Sequence, residues 1–549
     1  MHLMRYPLHP ILLGILPVLY FFVQNSQELE WFDIIRPLAV SFVGSLICYL
    51  IVFWVSKNKN VSMMASSLVI IMLTMFSSAY ENLFVIFPAL RYRYYAIFWV
   101  ITFGMSAFYI IKNGSKLKQL SKINEYINLF ALLMIGMQVW KMAGMYSYIS
   151  QSAQIQSESQ KVSSTWLDQI KNSGKSLEKR PDIYYLVLDA YAREDILRSR
   201  YDYDNRPFLD HLKALNFSVS DQSTSNYPFT HLSLSSTLNL DELQNFLPTD
   251  LMRGAPSTNP ERYHYLSSKL GKEYISKNRL RYFLESLGYE WHRNDSGYPM
   301  TRLRNESLSD IFTNHISQLE MMILESNMIG HFLGQLSQKY SVQAFFHHKW
   351  RNGLEQFASM EDHKSPKFIF YHIVSPHAPF CFDENGGIAK ELVEGLVAPG
   401  VNDERLATAS QNRKYRELYP KNLAGLNIYV LETITKILEK SNGEAIIIIQ
   451  SDHGPSLGFN YYKIDESDLK SRFANLNAVY MPPNYERSQL DGNISNVNTF
   501  RVLLSSIFGV DLPKIKDRAW FAFAGNLEFS EVTNQVQLLE PKPVDLSTK

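Results

Sequence analysis

Chemically capable side chains follow three apolar runs of the sequence, close to where each run ends. Each run is short and rich in β-branched or aromatic residues, which is typical of a buried central strand. The side chains are Asp189, His377, Asp452 and His453, and the runs that precede them are 183–188, 368–374 and 445–449. Ligand sites of parallel sheets lie beyond the carboxyl ends of the strands. We therefore expect these carboxylates and imidazoles to meet at one edge of a sheet.

Each of these positions has a simpler interpretation when it is taken alone. Asp189 could cap the next helix, and His377 could be a loop histidine satisfied by backbone groups. Residues 452–454 could be a turn in which glycine supplies a positive φ. The conjunction of three strand ends favours a functional site over three unrelated loops.

A threonine stands where another helix is expected to begin. Pro228 breaks the preceding segment, and Thr230 follows two residues later. A threonine at a helix start is usually an N-cap, but the helix N-terminus also favours the negative charge of an alkoxide or a bound oxyanion. A threonine hydroxyl needs a metal or a base to become a good nucleophile. Asp189, Asp452 and His453 could bring that metal.

The catalytic candidates lie in a stretch where strand patterns alternate with helical ones, which predicts an α/β domain on a mainly parallel sheet. We expect this domain to span residues 181–515, with residues 516–549 as a C-terminal tail. Residues 151–180 are polar and rich in Ser, Gln and Lys, as in a linker or an amphipathic juxtamembrane helix.

Residues 1–150 carry few charged side chains and predict a membrane block. No small-x-small cleavage site follows the first apolar run, so we do not interpret that run as a cleavable signal peptide. Each run is long enough to cross a hydrocarbon core with little help from its flanks. The five runs lie near 9–24, 36–56, 61–80, 94–111 and 126–148.

Basic residues in the short loops set the expected orientation of this block. Arg5 precedes the first run, lysines of residues 57–59 follow the second, and lysines of residues 112–122 follow the fourth. The arginines of residues 91–93 are the discordant feature. The distribution of basic residues between the alternate loops predicts that the N-terminus lies on the cytoplasmic side of the membrane. Five crossings would then place everything after about residue 150 in the periplasm, or outside a multi-pass bacterial inner (cytoplasmic) membrane.

Charge and cysteine content exclude two classes of protein. The chain has 54 Lys and Arg against 53 Asp and Glu, for a net charge of +1, and it has no basic stripe with interleaved aromatics. We therefore expect no nucleic-acid partner. Cys48 lies in an apolar run and Cys381 in the soluble part, so no disulfide scaffold is expected.

Four segments together resemble the sulfatase-like branch of the alkaline phosphatase superfamily. They are RPDIYYLVLDAYARED, SNYPFTHLSLSSTLN, FYHIVSPHAPF and IIIIQSDHGPSLG, and they follow the family's order within roughly residues 180–515. The five apolar runs resemble the membrane blocks of lipoteichoic acid synthases and lipid A phosphoethanolamine transferases. The resemblance implies an α/β/α catalytic fold outside the cytoplasm.

Carried over position by position, the resemblance implies one divalent metal ion held by Asp189, Thr230, Asp452 and His453. Thr230 would also be the nucleophile, and His377 would hold an anionic oxygen or protonate the leaving group. One imidazole among oxygen ligands suits Mn²⁺, which we expect first, with Mg²⁺ or Zn²⁺ as alternatives.

Departures from the family narrow the expected chemistry. Sulfatases of this fold have Cys or Ser for conversion to formylglycine where this chain has Thr230, so sulfate-ester hydrolysis by that route is not expected. Members with two metals need an Asp-x-x-x-His pair and a further histidine. Here the residue four positions after Asp403 is Ala407 rather than a histidine, and no histidine follows His453. A single-metal site is the better interpretation.

We therefore predict a membrane-anchored phosphotransferase. It would move a phospholipid head group of the phosphoglycerol or phosphoethanolamine type onto an envelope glycan or glycolipid. A hydrolase of the same fold, either a phosphodiesterase or a sulfuric ester hydrolase, is an alternative that uses the same residues. A non-catalytic envelope-glycan-binding membrane protein is an alternative of another class. The sequence leaves the oligomeric state open.

Two further residues are weaker candidates for substrate contacts. Arg193 lies four residues after Asp189, where a surface salt bridge is the simpler interpretation. His292 follows Gly288-Tyr289, where relatives often place substrate residues. The sequence does not assign a role to residues 255–345.

Overall fold

A computed structural model of the chain divides it into two compact units. The first unit comprises Met1–Tyr148 with Arg304–Ser341, and the second comprises Ile149–Leu303 with Val342–Lys549. The structure describes residues 6–25, 31–77, 91–146, 152–173, 180–247, 273–294, 318–330, 342–360, 365–393, 409–523 and 528–538, with single residues between some of these ranges.

The α-helices of the described residues are numbered in chain order. They are α1 (Leu8–Gln24), α2 (Ile35–Ser56), α3 (Lys59–Thr74), α4 (Tyr92–Asn113), α5 (Leu120–Tyr146), α6 (Ser152–Ser173), α7 (Glu194–Tyr201), α8 (Arg206–Ala214), α9 (Thr230–Asn239), α10 (Arg279–Ser286), α11 (Gln318–Ser326), α12 (Val342–Ser359), α13 (Ala409–Lys440), α14 (Leu469–Phe473), α15 (Asn496–Phe508) and α16 (Thr533–Leu538).

The strands are likewise numbered in chain order. They are β1 (Ile183–Leu188), β2 (Ser218–Val219), β3 (Glu290–Arg293), β4 (Lys367–Ile373), β5 (Ile446–Gln450), β6 (Asn477–Tyr480), β7 (Trp520–Ala522) and β8 (Phe529–Glu531).

The first unit contains a helix for each of the five predicted apolar runs. Within the described residues, three stretches are long and apolar enough to cross a membrane: Ile35–Ser56, Tyr92–Lys116 and Leu120–Ala143. Helices α1 and α3 are apolar but have only 17 and 16 residues. Length and composition therefore support three membrane helices, and the count of five crossings stays a prediction.

The second unit is built on a mainly parallel mixed sheet. Among the described residues it has six strands in the order β2-β6-β5-β1-β4-β3. Strands β5, β1, β4 and β3 run parallel, and β6 and β2 join as antiparallel strands at one edge. The three strands predicted to be central, β1, β4 and β5, are adjacent and buried at every residue. The α/β prediction is confirmed.

The register of the sheet brings the predicted chemistry together. Leu188 lies opposite Ile373, and Val187 lies opposite Gln450. The segments that follow these residues therefore leave the sheet at the same edge. This edge holds the predicted site.

The residues flanking the predicted catalytic domain also pack within the second unit. Ile155 of α6 lies in an apolar cluster with Tyr227 and Leu232. In the C-terminal region, β7 and β8 form a small antiparallel sheet, and Phe521 packs against Phe459. The predicted boundaries at 150, 180 and 515 stay predictions.

A glycine on α13 marks a close approach between two segments of the second unit. A Cβ at Gly425 would lie 2.0 Å from the carbonyl oxygen of Asp383 and 2.9 Å from Cβ of Phe382. We expect Gly425→Ala to lower the free energy of unfolding by about 1–3 kcal/mol, because the backbone of α13 must move outward. Thermal unfolding of the detergent-solubilised protein measures this effect.

The control for that measurement is Gly104→Ala. Gly104 is also helical, but no heavy atom lies within 4 Å of its Cβ position. An unchanged unfolding midpoint for Gly425→Ala would contradict the close approach.

Candidate active site

The turn after β1 carries Asp189 into the site. The Asp189 backbone N–H donates to the carbonyl of Ile373 (3.0 Å), which ties the end of β1 to β4. The next residue, Ala190, has a φ of 60°, an uncommon value for a residue with a Cβ. The Tyr419 hydroxyl donates to the Ala190 carbonyl (2.7 Å) and accepts from the Ala192 N–H (3.0 Å). These bonds hold the turn in its left-handed conformation.

The two carboxylate oxygens of Asp452 have different surroundings: one accepts backbone hydrogen bonds and the other accepts none. Its Oδ1 accepts from the backbone N–H groups of Ala190 (3.1 Å) and His453 (3.0 Å). Its Oδ2 is buried without a hydrogen-bond partner. The first oxygen therefore fixes the carboxylate plane, and the second points toward the other site residues.

Three buried polar atoms without hydrogen-bond partners meet at this point. They are Asp189 Oδ1, His372 Nε2 and Asp452 Oδ2. Ligand atoms of the same three residues lie within 4.8 Å of one another. An unsatisfied buried polar group is costly, and carboxylates with imidazole form a common donor set for a divalent cation. The residues present therefore fit the metal ion that the motifs imply.

Thr230 and His453 stand beside this group. Thr230 is the first residue of α9, as predicted, and its Oγ1 lies 3.1 Å from His453 Nε2. His453 Nδ1 is 2.9 Å from the carbonyl of Gly454, which can only accept, so Nδ1 carries a hydrogen and Nε2 has the lone pair. That Nε2 lies 3.3 Å from Asp452 Oδ2 and 3.8 Å from Asp189 Oδ1. The four predicted metal ligands therefore converge.

The pKa values of the two carboxylates, Asp189 and Asp452, shift in opposite directions. Burial opposes the charge of Asp189, but nearby His377, His372 and His453 outweigh it and hold its pKa below the ordinary value. Burial, and then the charge of Asp189, raise the pKa of Asp452. Two carboxylates this close and this buried cannot both ionise freely without a cation.

A buried arginine supplies positive charge next to His453. Arg472 on α14 donates from Nε to the Pro228 carbonyl (2.8 Å) and from Nη1 to the Gly454 carbonyl (2.9 Å). Its Nη2 lies 3.3 Å from His453 Nε2. Burial, and then this guanidinium, lower the pKa of His453 well below its ordinary value. The imidazole is therefore neutral, which is the form that binds metals.

His377 lies at the same edge of the sheet. Its backbone N–H donates to the Asp189 carbonyl (3.0 Å), and its Nδ1 lies 2.7 Å from the Ala378 carbonyl. Nδ1 therefore carries a hydrogen, and Nε2 is the nitrogen that can give or take a proton. The peptide bonds that precede Pro376 and Pro379 are both cis.

The two weaker substrate candidates lie in other surroundings. Arg193 is paired with Asp195 (2.8 Å) and donates to the Ser223 carbonyl (2.8 Å), as in the simpler interpretation. His292 lies on β3 opposite Ile369, three residues before His372 along β4, or roughly 10 Å. Its Nε2 is 3.2 Å from Glu290. The hydrogen bonds and ion pairs described for these two residues do not involve Asp189 or Asp452.

His372 is the site residue that sequence reasoning missed. It lies inside β4, its Nδ1 is 2.8 Å from the Thr301 hydroxyl, and its Nε2 is 3.4 Å from Asp189 Oδ2. A histidine within an otherwise apolar strand was the available signal. We interpreted the run only by its hydrophobicity.

Gly454 is required for a reason other than the turn conformation considered from the sequence. It is not among the residues with positive φ. A Cβ at this position would lie 1.9 Å from the carbonyl oxygen of Ser471. The glycine therefore lets the loop after β5 approach the backbone of α14, which also delivers Arg472.

A set of buried amides and hydroxyls joins α9 to the loop that carries Asp452. Ser233 Oγ donates to the Asp452 carbonyl (2.7 Å), and Asn496 Nδ2 donates to the Ser451 carbonyl (2.9 Å). Asn475 Nδ2 donates to Asn496 Oδ1 (2.9 Å). Ser233 lies one turn after Thr230, so these bonds set the distance between the hydroxyl and the carboxylates.

Comparisons with known proteins give matches among solved structures. No family model and no curated protein matches the chain. The zinc complex of the C-terminal periplasmic domain of EptC from Escherichia coli matches with 14% identity, covers 64% of this chain and 92% of that chain, and has a TM-score of 0.38. The corresponding domain of phosphoethanolamine transferase EptC from Campylobacter jejuni matches with 14% identity, 60% and 89% coverage and a TM-score of 0.31.

A hydrolase also matches. Phosphonate monoester hydrolase of Agrobacterium radiobacter has 12% identity, covers 63% of this chain and 80% of that chain, and has a TM-score of 0.36. Because identities and TM-scores this low say nothing of substrate, the residue assignments below rest on the contacts of this chain.

Metal binding tests the convergent carboxylates. We expect Asp189→Asn and Asp452→Asn to weaken divalent-metal binding by more than the roughly 10- to 100-fold loss caused by removing an outer hydrogen bond. Because the pKa of Asp452 is raised, protons begin to compete with the metal at a higher pH than they would for an ordinary carboxylate. The affinity should therefore fall about tenfold per pH unit once the pH is below that pKa. Calorimetric titration of the metal-stripped protein measures both effects.

Asp195→Asn is the control, since Asp195 is paired with Arg193 away from the carboxylate pair. His372→Ala and His453→Ala, titrated in parallel, identify which imidazole completes the site. Retention of full affinity in both aspartate variants would contradict the assignment of this site.

The Ser233 contact makes a second prediction. We expect Ser233→Ala to weaken metal binding by about 10- to 100-fold, because the Asp452 loop loses its tie to α9. Ser235→Ala is the matched control, because the Ser235 hydroxyl donates to the His231 carbonyl of its own helix (2.6 Å). Equal effects of the two substitutions would indicate general loss of packing in α9.

Proposed function

We propose that this chain is a membrane-anchored single-metal phosphotransferase with Thr230 as nucleophile. One observation carries the proposal. A threonine hydroxyl at a buried helix N-terminus lies 3.1 Å from a histidine nitrogen, beside two carboxylates with unpartnered oxygens. An N-cap has no need of such neighbours. A phosphoryl acceptor needs all of them, because the nucleophile must be ionised and the phosphoryl charge stabilised.

Asp189, Thr230, Asp452 and His453 would hold one divalent metal ion, with His372 as a further donor. When bound, the ion would supply Lewis-acid stabilisation of negative charge on oxygen. The sequence offered one imidazole and favoured Mn²⁺. A second imidazole next to Asp189 makes Zn²⁺ an equal candidate, because imidazole is a better ligand for zinc than for manganese.

The proposed reaction has two displacements at phosphorus. Thr230 reacts as its alkoxide after its proton has passed to solvent. The N-terminus of α9 favours that charge, and Arg472 Nη2 lies 3.3 Å from His453 Nε2, the atom that Thr230 Oγ1 also approaches. A bond forms between Thr230 Oγ1 and the phosphorus of a phospholipid head group, and the bond to the diacylglycerol oxygen breaks. The product is a phosphothreonine diester.

His377 serves both displacements by proton transfer. In the first, protonated Nε2 gives its proton to the leaving diacylglycerol oxygen. In the second, the neutral Nε2 takes the proton of an acceptor hydroxyl on an envelope glycan or glycolipid as that oxygen attacks phosphorus and Thr230 leaves as its alkoxide. The hydrogen bond from Nδ1 to the Ala378 carbonyl keeps Nε2 as the exchanging atom.

The membrane helices suit a lipid donor. Tethering the site to the bilayer raises the effective concentration of lipid at the site. We propose a multi-pass protein of the bacterial inner membrane with five crossings and the second unit in the periplasm. The basic loop residues and the five apolar helices support this arrangement.

The same residues serve hydrolysis if water replaces the glycan hydroxyl in the second displacement. The product separates the two activities, since transfer yields a substituted alcohol and hydrolysis yields a free head group. A glycan-binding role without catalysis would give neither product. That role would also leave the unpartnered atoms of Asp189 and Asp452 without a function.

The intact mass of the purified protein tests the proposal. After incubation with phospholipid and either Mn²⁺ or Zn²⁺, we expect wild type to gain the mass of one phosphorylated head group. Thr230→Ala should gain nothing, because it has no hydroxyl to form the ester. Thr230→Ser should still be modified, since it keeps the nucleophilic oxygen.

Thr435→Ala is the control for substitution of a threonine elsewhere, because the Thr435 hydroxyl donates to its own helix at Leu431 (2.8 Å). A mass gain that persists in Thr230→Ala would overturn the assignment of the nucleophile. A soluble alcohol is then added as acceptor. Formation of an ester between the head group and this alcohol indicates transfer. Release of free head group without that ester indicates hydrolysis.

A further inference from the structure

The chain enters the first unit twice. After Tyr148 it forms the second unit as far as Leu303, and residues Arg304–Ser341 then belong to the first unit before the chain returns to the second. Within this insertion the structure describes residues 318–330, which comprise α11 and the turn that follows it. The segment ends in a close approach of its own backbone, since a Cβ at Gly330 would lie 2.0 Å from the carbonyl oxygen of Leu324.

Helix α11 is packed through apolar side chains. Leu319 is fully buried, and Ile323 packs against the same cluster. The partners come from α1, from the connection between α1 and α2, from α2 itself and from α5. They are Val18, Leu19, Phe21, Phe22, Leu29, Ile34, Leu38, Ile135 and Met142.

A second apolar contact and an ion pair extend this attachment. Met328 packs against the cluster of Phe76, Tyr95 and Ala96, which joins the end of α3 to the start of α4. Glu320 forms a two-point ion pair with Arg36 at the start of α2. Their side chains are 16% and 24% exposed, so the pair is shielded from solvent more than a surface pair.

These contacts lie at one end of the bundle. Helices α1, α3 and α5 finish there, and α2 and α4 begin there. It is also the end from which the chain leaves α5 for the second unit. The basic loops at residues 57–59 and 112–122 belong to the opposite end, which the loop charges put inside.

We infer that residues 318–330 are a docking element that attaches the catalytic polypeptide to the outer end of its own membrane bundle. The occupant of that surface is this segment, held by Leu319, Met328 and the Arg36–Glu320 pair. Residues 149–180 then are one of two attachments.

Hydrogen–deuterium exchange on the full chain in detergent micelles tests the attachment without any assay of activity. Amides of residues 318–330 exchange when the segment opens, so their rate reports the docking equilibrium. We expect Arg36→Glu and Glu320→Arg each to speed this exchange by about five- to tenfold. The double variant restores opposite charges, so its exchange rate at residues 318–330 should be close to that of wild type.

Arg281→Glu is the matched control, because Arg281 forms a comparable pair with Glu285 on α10 (2.7 Å; 34% and 35% exposed) in the second unit. It should leave exchange at 318–330 unchanged. Wild-type exchange in both single variants, or a double variant no slower than the singles, would overturn the ion-pair contribution to docking.

Leu319→Ala provides a test that does not depend on charge at a membrane helix. Removal of this fully buried side chain should speed the exchange by more than about tenfold. The exposed Leu392→Ala should have no effect. If Leu319→Ala exchanges as wild type does, the segment is not docked on the bundle and the inference fails.

The consequence for catalysis rests on the proposed function and is measured separately. Leu319→Ala should lower head-group transfer from lipid vesicles several-fold and leave cleavage of a small soluble phosphodiester unchanged. Loss of both activities would indicate damage to the site and overturn the role in lipid access. Absence of both activities in wild type would reject the proposed function while leaving the exchange result standing.

Discussion

The site depends on two carboxylates that the fold buries close to each other. Asp189 and Asp452 are each nearly inaccessible, and each keeps one oxygen without a hydrogen bond. Like charges a few ångströms apart in a protein interior repel strongly, and this repulsion is not screened by salt. The chain places the Ala190 turn, three histidines and a buried guanidinium around this pair. The arrangement favours the binding of a positive charge at a single point between the two carboxylates.

The backbone of the site could be predicted from the sequence because it is encoded locally. Strands β1, β4 and β5 lie within one residue of the apolar runs that predicted them. Continuous runs of β-branched and aromatic residues admit few other structures, and polar residues at their ends have one edge of the sheet available to them. The start of α9 at Thr230 follows from Pro228 in the same way.

The remaining parts of the site come from residues whose role depends on tertiary neighbours. His372 is hidden within a run that reads as apolar, and only the pairing of β1 with β4 places it next to Asp189. Arg472 lies on a helix of five residues that has no distinctive pattern. Arg193 and His292 stay predictions as substrate residues, and the structure gives them the partners Asp195 and Glu290. The grouping of residues 304–341 with the helices of the first unit could not be predicted either, because the sequence of a short helix does not identify the surface on which it packs.

The double entry of the chain into the first unit has a consequence for biosynthesis. The segment 318–330 is translated well after α1–α5, β1 and α9. The apolar surfaces around Phe22 and Phe76 therefore lack the contacts of residues 318–330 while more than 150 further residues are synthesised, since Tyr148 and Arg304 bound the intervening stretch. The first unit is therefore completed by a segment that is synthesised after much of the second unit. A quality-control factor that recognises incomplete membrane bundles would thus have an interval in which to act on this chain. That interval would end only when residues 318–330 pack against the bundle.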